Sequence, residues 1–147
     1  MAQEDRKLLL TDLFARLPYG VHCCVLNFNK TIKEDNDIIY GIVGGNIVTL
    51  KSDKDECYMY YQIKPYLRPM SSMTEEELHE LQDVLGPGIE IRDNIIDILD
   101  SSIHIFSLLE LHAVFDWLNK HHFDYRGLIE KGLALEAPEG MYNVKEK

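Results

Sequence analysis

The residues of this chain whose types could do chemistry are most concentrated between positions 121 and 126, in the sequence HHFDYR. His121, His122 and Asp124 are potential metal ligands. Adjacent histidines at the end of a helix project in different directions, however, and the chain contains neither HExxH nor a paired Cys/His set. The spacing therefore predicts neither a metal site nor a cofactor site.

The same stretch is interpreted as a corner between two helices (the corner, residues 121–127). Asp124 precedes a further apolar run and is of the type that caps a helix. Asp124, Tyr125 and Arg126 could instead form a ligand-binding cluster. A small enzyme site could also assemble around His121, His122, Asp124 and Arg126. The sequence favours the structural role and keeps this cluster, with Asp124 and Arg126 as its contacts, as an alternative.

Nucleophilic catalysis has no recognisable motif in this chain. GxSxG is absent, and Cys23, Cys24 and Cys57 have no visible activating base. The three cysteines are interpreted as small buried hydrophobic residues in a reducing compartment. The glycine-rich GIVGGN lacks the lysine of a phosphate loop and is interpreted as a hairpin turn. We assign no catalytic residue, and the sequence favours a non-enzymatic role.

Tyrosines are concentrated between positions 58 and 66, next to several bases. Aromatic side chains on a small sheet can stack nucleic-acid bases, and Tyr60, Lys64 and Arg68 are the candidate contacts of such a surface. A stronger basic cluster is expected of a nucleic-acid-binding protein. Packing within the sheet is therefore favoured, and nucleic-acid binding is the alternative.

The negative charge of the chain is concentrated in one segment. Residues 71–100 contain nine acidic residues and one base, whereas the whole chain has a net charge of −10. This balance disfavours nucleic acid and anionic membranes as partners. The acidic side chains could contact a basic protein surface, imitate nucleic acid or only solubilise a helix. The candidates for this contact are Glu75, Glu76, Glu77 and Glu80.

Four helices are predicted with defined ends. Glu4–Leu17 has one apolar stripe and stops at Pro18. Thr74 and Glu77 form a capping box, which predicts a helix that continues to Leu85. A longer helix begins near Leu108, with Ser107 as its cap and Glu110 three residues on, and a short helix over Tyr125–Lys131 follows the corner. The helix stripes and ends predict these boundaries.

Short β-rich runs separated by turn residues occupy positions 20–64. They predict a four-strand antiparallel meander or small barrel. Lys64–Pro69 is predicted to leave the sheet because of its two prolines, Ile89–Ile105 is predicted to form strands, and the tail Ala134–Tyr142 is predicted to be ordered. The predicted fold is α+β in a single domain over residues 1–147, β-rich at 20–64 and mainly helical at 74–142.

The sequence also bears on compartment. No run approaches the roughly 18 apolar residues of a membrane span. The first residues, MAQEDRKLLL, place acids before the apolar run, which is unlike a secretory signal. A cytoplasmic location is therefore predicted, with no membrane partner. The sequence does not predict the oligomeric state.

Two stretches, Ile63–Glu77 and Asp116–Tyr142, resemble a family of small uncharacterised proteins encoded by phages and prophages of gut-type bacteria. The family has no assigned activity. The resemblance implies a phage or prophage protein in the cytoplasm of a bacterial host cell. By analogy with small phage proteins, it implies an accessory factor that binds a bacterial protein, as a regulator or an inhibitor of host defence, more than a metabolic enzyme.

Overall fold

The computed structural model describes residues 1–85, 89–92, 95–98 and 108–142. The fold is α+β, with an N-terminal helix, a mostly antiparallel mixed sheet and further helices. The helices are α1 (Gln3–Arg16), α2 (Glu75–Leu85) and α3 (Leu108–Lys120). The strands are β1 (His22–Leu26), β2 (Ile32–Val43), β3 (Ile47–Leu50), β4 (Cys57–Met59), β5 (Ile63–Leu67), β6 (Ile89–Arg92), β7 (Ile95–Ile98) and β8 (Leu135–Glu136).

The larger sheet has the strand order β4-β3-β2-β1-β5-β8. All neighbours are antiparallel except β5 and β8. Gly44 and Gly45 both have positive φ angles of 61° and 80°, so the predicted glycine-rich segment is the hairpin between β2 and β3. Closure of this sheet into a barrel stays a prediction.

The segment Lys64–Pro69 corrects the sequence prediction. Its first residues do not leave the sheet, because they lie in β5, between β1 and β8. Pro65 lies opposite Cys23 on β1. Proline lacks one backbone donor but keeps its carbonyl acceptor, and burial of Tyr66 and Leu67 offsets the missing hydrogen bond.

The main core lies between the sheet and α1. Leu9 and Leu13 of α1 pack against Cys23 and Val25 of β1 and against residues of the neighbouring strands. Burial of these side chains fixes α1 on the sheet. Cys57 is exposed, so the predicted burial of this cysteine is wrong, because it lies on the edge strand β4.

A second, smaller core joins α2, α3 and the corner. Leu81, Val114, Leu118 and Phe123 are its buried members. The predicted capping box of α2 is present, since the backbone N–H of Thr74 donates to Glu77 Oε1 over 3.1 Å and the backbone N–H of Glu77 donates to Thr74 Oγ1 over 3.2 Å. This core packs the two helices against each other.

The predicted strands over Ile89–Ile105 are found in part, as the antiparallel hairpin of β6 and β7. Ile103 and Ile105 lie outside the described residues. The predicted cap Ser107 also lies outside them. Within the described ranges, no helix combines the length and the apolar character that crossing a membrane would require.

The predicted helix over Tyr125–Lys131 is wrong. This stretch forms a series of turns, and Leu133 N–H donates to the carbonyl of Leu128 over 2.9 Å. Gly132 takes the left-handed conformation expected of it, with φ of 73°. The tail is anchored as predicted, because β8 pairs with β5 and the Tyr142 hydroxyl donates to the carbonyl of Tyr66.

Candidate functional site

Asp124 stabilises the corner with both oxygens of its carboxylate. Oδ1 accepts a hydrogen bond from the backbone N–H of Leu128 over 2.8 Å, and Oδ2 accepts one from the backbone N–H of Ile129 over 2.9 Å. The side chain is buried. This is the geometry of a helix cap applied to a turn, and it supports the structural role over the ligand-binding one.

Arg126 is engaged inside the molecule with a residue that the sequence analysis did not single out. Its Nη1 donates to Asp12 Oδ1 over 2.8 Å. Asp12 and Arg16 of α1 are both fully buried and joined through Arg16 Nε and Asp12 Oδ2 over 2.9 Å. Arg16 Nη2 also donates to the carbonyl of Phe123 over 2.6 Å. The charges of the corner thus connect it to α1.

The two histidines of the corner are also buried. His122 has a left-handed backbone, with φ of 62°, and its ring stacks on Tyr142 at a centroid distance of 3.9 Å. Burial, and then the charge of Arg16, lower the pKa of His122 to about 3. Burial also lowers the pKa of His121. Both rings are therefore neutral at neutral pH.

No group of three or more histidine, cysteine, aspartate or glutamate side chains in the described residues could hold a metal ion. In the corner, the Asp124 carboxylate accepts two backbone hydrogen bonds, and the two histidines project differently. His121 Nδ1 lies 3.9 Å from Glu77 Oε2, whereas His122 stacks on Tyr142. The structure thus does not bring these three residues together as ligands.

Arg68 and Glu77 were predicted as contacts of two different surfaces, but they form one pair. Arg68 Nη1 and Nη2 each donate to a Glu77 carboxylate oxygen over 2.7 Å. Burial alone would raise the pKa of Glu77, but the hydrogen bonds from Arg68 and Thr74 outweigh it and lower this pKa. This pair ties α2 to the end of β5, so neither side chain is free to bind a partner.

The remaining acidic candidates have a different environment. Glu75, Glu76 and Glu80 on α2 are exposed to solvent. Trp117 Nε1 donates to Glu80 Oε2 over a long 3.4 Å. These three carboxylates are therefore available on the surface, as the acidic-face prediction requires.

The tyrosine-rich segment is divided between the core and the surface. Tyr58, Tyr60 and Tyr66 are buried, so Tyr60 is a core residue instead of a surface contact. Tyr61 is the exception, with 42% of its surface exposed. Tyr61 and Lys64 both line one groove on the surface.

The groove has a volume of about 580 Å³. Its walls come from the start of α1, the end of β1, the turn at 27–31, the segment 61–64 and the segment 132–135. Cys24 and Lys64, which are opposite each other on β1 and β5, both line it. Burial raises the pKa of the Cys24 thiol, so this sulfur is protonated at neutral pH and is a poor nucleophile.

Exposed apolar side chains are concentrated around the groove. Eight large hydrophobic residues are exposed in the described part of the chain, and four of them line the groove. They are Met1, Phe28, Ile32 and Tyr61. Phe28 is 83% exposed. Because isolated apolar residues are common on surfaces but clusters are not, this concentration makes the groove a candidate binding surface.

The turn that presents Phe28 is held by local hydrogen bonds. Asn27 N–H donates to the carbonyl of Thr31 over 2.7 Å, and Lys30 N–H donates to the carbonyl of Asn27 over 2.8 Å. The Asn27 and Asn29 side chains both bond to Thr31 as well. Phe28 is therefore held in solvent by an ordered turn, which lowers the entropy lost when it binds a partner.

Tyr61, the other exposed aromatic side chain of the groove, is held in the same way. The Gln62 side chain donates to the carbonyl of Leu26 over 3.2 Å and accepts a hydrogen bond from Met59 N–H over 3.1 Å. These bonds fix the short 3-10 helix at Tyr60–Gln62 that carries Tyr61. Phe28 and Tyr61, the aromatic rims of the groove, are thus both attached to backbone that is held by hydrogen bonds.

The groove is also more positive than the rest of the molecule. Arg6, Lys30 and Lys64 line it together with a single carboxylate, Asp5. Asp5 lies 3.8 Å from Lys131 Nζ. Among the described residues, none of the three lining cations is within ion-pair distance of a carboxylate. A local excess of cations in a chain of net charge −10 favours an anionic ligand.

The sequence analysis found Lys64 but not Phe28, Ile32, Arg6 or Lys30. One signal was present, since Phe28 is an apolar residue inside the polar turn NFNK. The turn itself does not bury this ring, which is 83% exposed. Ile32, Arg6 and Lys30 carried no comparable signal, because only the packing of α1 beside the β1–β2 turn brings them together.

Comparison with known proteins found no matching family, no matching curated protein and no matching solved structure.

Proposed function

We propose that this chain is a phage or prophage accessory protein that binds a protein of the bacterial cytoplasm without catalysing a reaction. In this role it acts as a regulator or as an inhibitor of a host defence. The single observation that supports binding is the concentration of exposed apolar side chains around the groove. The phage origin is supported by the resemblance of Ile63–Glu77 and Asp116–Tyr142.

The charged candidates outside the groove support the same proposal indirectly. Asp124, Arg126, Arg68 and Glu77 are engaged with the protein itself. Their charges therefore stabilise the fold, and the exposed groove is the better candidate for the contact with a partner. The exposed acids of α2 provide a second surface, which the same experiment can compare with the groove.

The test is a pull-down from a bacterial lysate with the tagged full chain, carried out with and without nuclease treatment. Three baits are compared: the parent, the groove variant F28S/Y61S, and the α2 variant E75K/E76K/E80K. All five side chains are exposed, so both variants are expected to fold. We expect one stoichiometric bacterial protein that is retained by the parent and the α2 variant and lost by the groove variant.

Each other result has a defined meaning. Loss with the α2 variant alone would move the contact to the acidic face. Capture that nuclease abolishes would favour the nucleic-acid alternative, in which Tyr61 and Lys64 contact a strand. A parent bait that retains no stoichiometric protein would contradict the proposed interaction function.

A further inference from the structure

We propose that the groove recognises an acidic hydrophobic peptide segment of its partner, in which apolar side chains are flanked by aspartate or glutamate. This inference rests on the proposed function, because it names the chemistry of the segment that the groove binds. The occupant we propose is a polypeptide. The apolar rims contact its apolar side chains, and the cations contact its carboxylates.

The charge of the ligand follows from the cations of the groove. Arg6, Lys30 and Lys64 come from α1, the turn at 27–31 and β5, so three separate elements converge on one space. Lysine and arginine without carboxylate partners attract an anionic ligand and fix its register. The carboxylates of a bound segment would complete ion pairs that the described part of the chain leaves open.

The apolar character of the ligand follows from the aliphatic lining. Leu26, Ile32, Leu133 and Leu135 line the groove in addition to the aromatic rims. Its volume of about 580 Å³ is within the range of about 300 to 1,000 Å³ that is typical of ligand pockets. The lining therefore suits a few apolar side chains, which would cover surface that is now exposed to water.

The same lining favours a polypeptide over a nucleic acid. A nucleic-acid strand carries a phosphate at every nucleotide, and outside the groove these phosphates would be repelled by a chain whose overall net charge is −10. An acidic hydrophobic peptide can carry its negative charges only where the cations of the groove pair with them. Its aliphatic side chains also match a lining in which only Phe28 and Tyr61 offer aromatic faces for stacking.

The experiment is a selection from a random twelve-residue peptide library on the immobilised full chain. Parallel selections use R6E/K30E/K64E, which reverses the cations of the groove, and E75K/E76K/E80K as a matched charge reversal on α2. Circular dichroism checks that each variant is folded. If the triple groove variant is unfolded, the single variant K64E replaces it. Fluorescence anisotropy then measures the affinity of the enriched peptides.

We expect the enriched peptides to combine apolar side chains with Asp or Glu. Their affinity should fall about tenfold or more on R6E/K30E/K64E and also on raising the salt concentration. The α2 variant should keep the parent affinity. Basic or neutral consensus peptides, equal binding to the cation-reversed variant, or no enrichment on the parent would each overturn the inference. Tighter salt-dependent binding of the oligonucleotide dT12 than of any peptide would overturn it as well.

This inference and the proposed function can fail separately. A cytoplasmic partner that depends on Phe28 and Tyr61, combined with selected peptides that lack acids, would leave the function standing and reject the acidic ligand. Acidic peptides that bind the groove, combined with a lysate that yields no stoichiometric protein, would support the chemistry of the groove and contradict the proposed function.

Discussion

The corner and the groove both contain charged and aromatic side chains, but they use them in opposite ways. At the corner, Arg126 is paired with Asp12 of α1, and Asp12 is in turn paired with Arg16 of the same helix, with both α1 side chains fully buried. In the groove, Lys30 lies beside the exposed ring of Phe28, with no carboxylate partner among the described residues. A buried charge needs a partner to offset the loss of hydration, whereas an exposed charge remains available for binding.

This difference explains why the densest cluster of reactive residue types is the poorer candidate for function. The charged side chains of the corner are paired and its histidines are neutral, and its contacts join it to α1, to its own turn, to Glu77 of α2 and to Tyr142. The groove contains fewer residues of reactive types, but its exposed side chains are attached to ordered backbone. Substitutions in the corner should therefore affect stability, and substitutions in the groove should affect binding.

The largest effect is expected from removing the carboxylate of Asp12, which α1 provides to both Arg16 and Arg126. D12A leaves the buried Arg16 and the partly buried Arg126 without an anion, which should reduce the free energy of unfolding by about 3 to 5 kcal/mol. Urea denaturation measures the change. D5A is the matched control on the same helix, because Asp5 has only a distant, exposed ion pair, and it should cost less than about 1 kcal/mol. An equal loss of unfolding free energy in D12A and D5A would contradict the structural role of the buried charges.

The pH dependence of stability should show that His122 is buried in its neutral form. As pH falls below about 6.5, the unfolded state binds a proton, while the folded state, with a pKa of about 3 at His122, does not. The free energy of unfolding should decrease by about 1 kcal/mol per pH unit, or by about 2 kcal/mol between pH 6.5 and 4.5.

The variant H122N tests this assignment, since asparagine tolerates the left-handed backbone but does not titrate in this range. Denaturation curves between pH 7 and 4.5 should show a smaller slope for H122N than for the parent. H79N replaces an exposed histidine on α2 and should retain the parent slope. An unchanged slope for H122N would show that its ring is not the group responsible.

Removing the carboxylate of Asp124 should have a smaller effect. D124A leaves the N–H groups of Leu128 and Ile129 without their acceptor, at an expected cost of about 1 to 2 kcal/mol. Thermal unfolding measures the loss, and D124N should recover part of it because one oxygen remains. E130A, an exposed substitution in the same turns, should be neutral within about 0.5 kcal/mol. A neutral D124A would contradict its role as a cap.

The smallest effect on stability is expected in the groove. Phe28 is exposed on a turn held by other residues, so F28S should change the free energy of unfolding by less than about 0.5 kcal/mol. The same substitution should weaken partner binding about tenfold or more, because aromatic residues contribute strongly at interfaces. Calorimetry and peptide anisotropy on one preparation compare the two. A large loss of stability would assign Phe28 to the fold.

Local patterns predicted the elements that depend on neighbours in sequence. The capping box of Thr74 and Glu77 depends on residues three positions apart, and the prediction holds. The prediction failed where distant contacts decided the outcome. Two prolines near Tyr66 indicated a segment outside the sheet, but pairing with β1 and β8 makes it a strand. Asp124 was recognised as a cap, yet the segment it caps is a set of turns.

The candidate site shows the same division. Lys64 was identified from its type and its neighbours, but Arg68 and Glu77 could not be recognised as one pair, because the ion pair forms only when α2 docks at the end of β5. Asp12 and Arg16 are one helical turn apart, a spacing that is usual for exposed ion pairs. Their burial became visible only with the contacts to Phe123 and Arg126.

By itself, the sequence determined the capped start of α2, the glycine turn between β2 and β3, the acidic segment and the α+β class, because these depend on residue types at short spacing. Only the tertiary structure decided which charges are paired and which apolar side chains remain exposed. Pairing and exposure depend on distances between segments that are far apart in the chain, as between Asp12 and Arg126 or between Arg6 and Lys64. Such distances are set by how the helices dock on the sheet, and a linear pattern does not contain them.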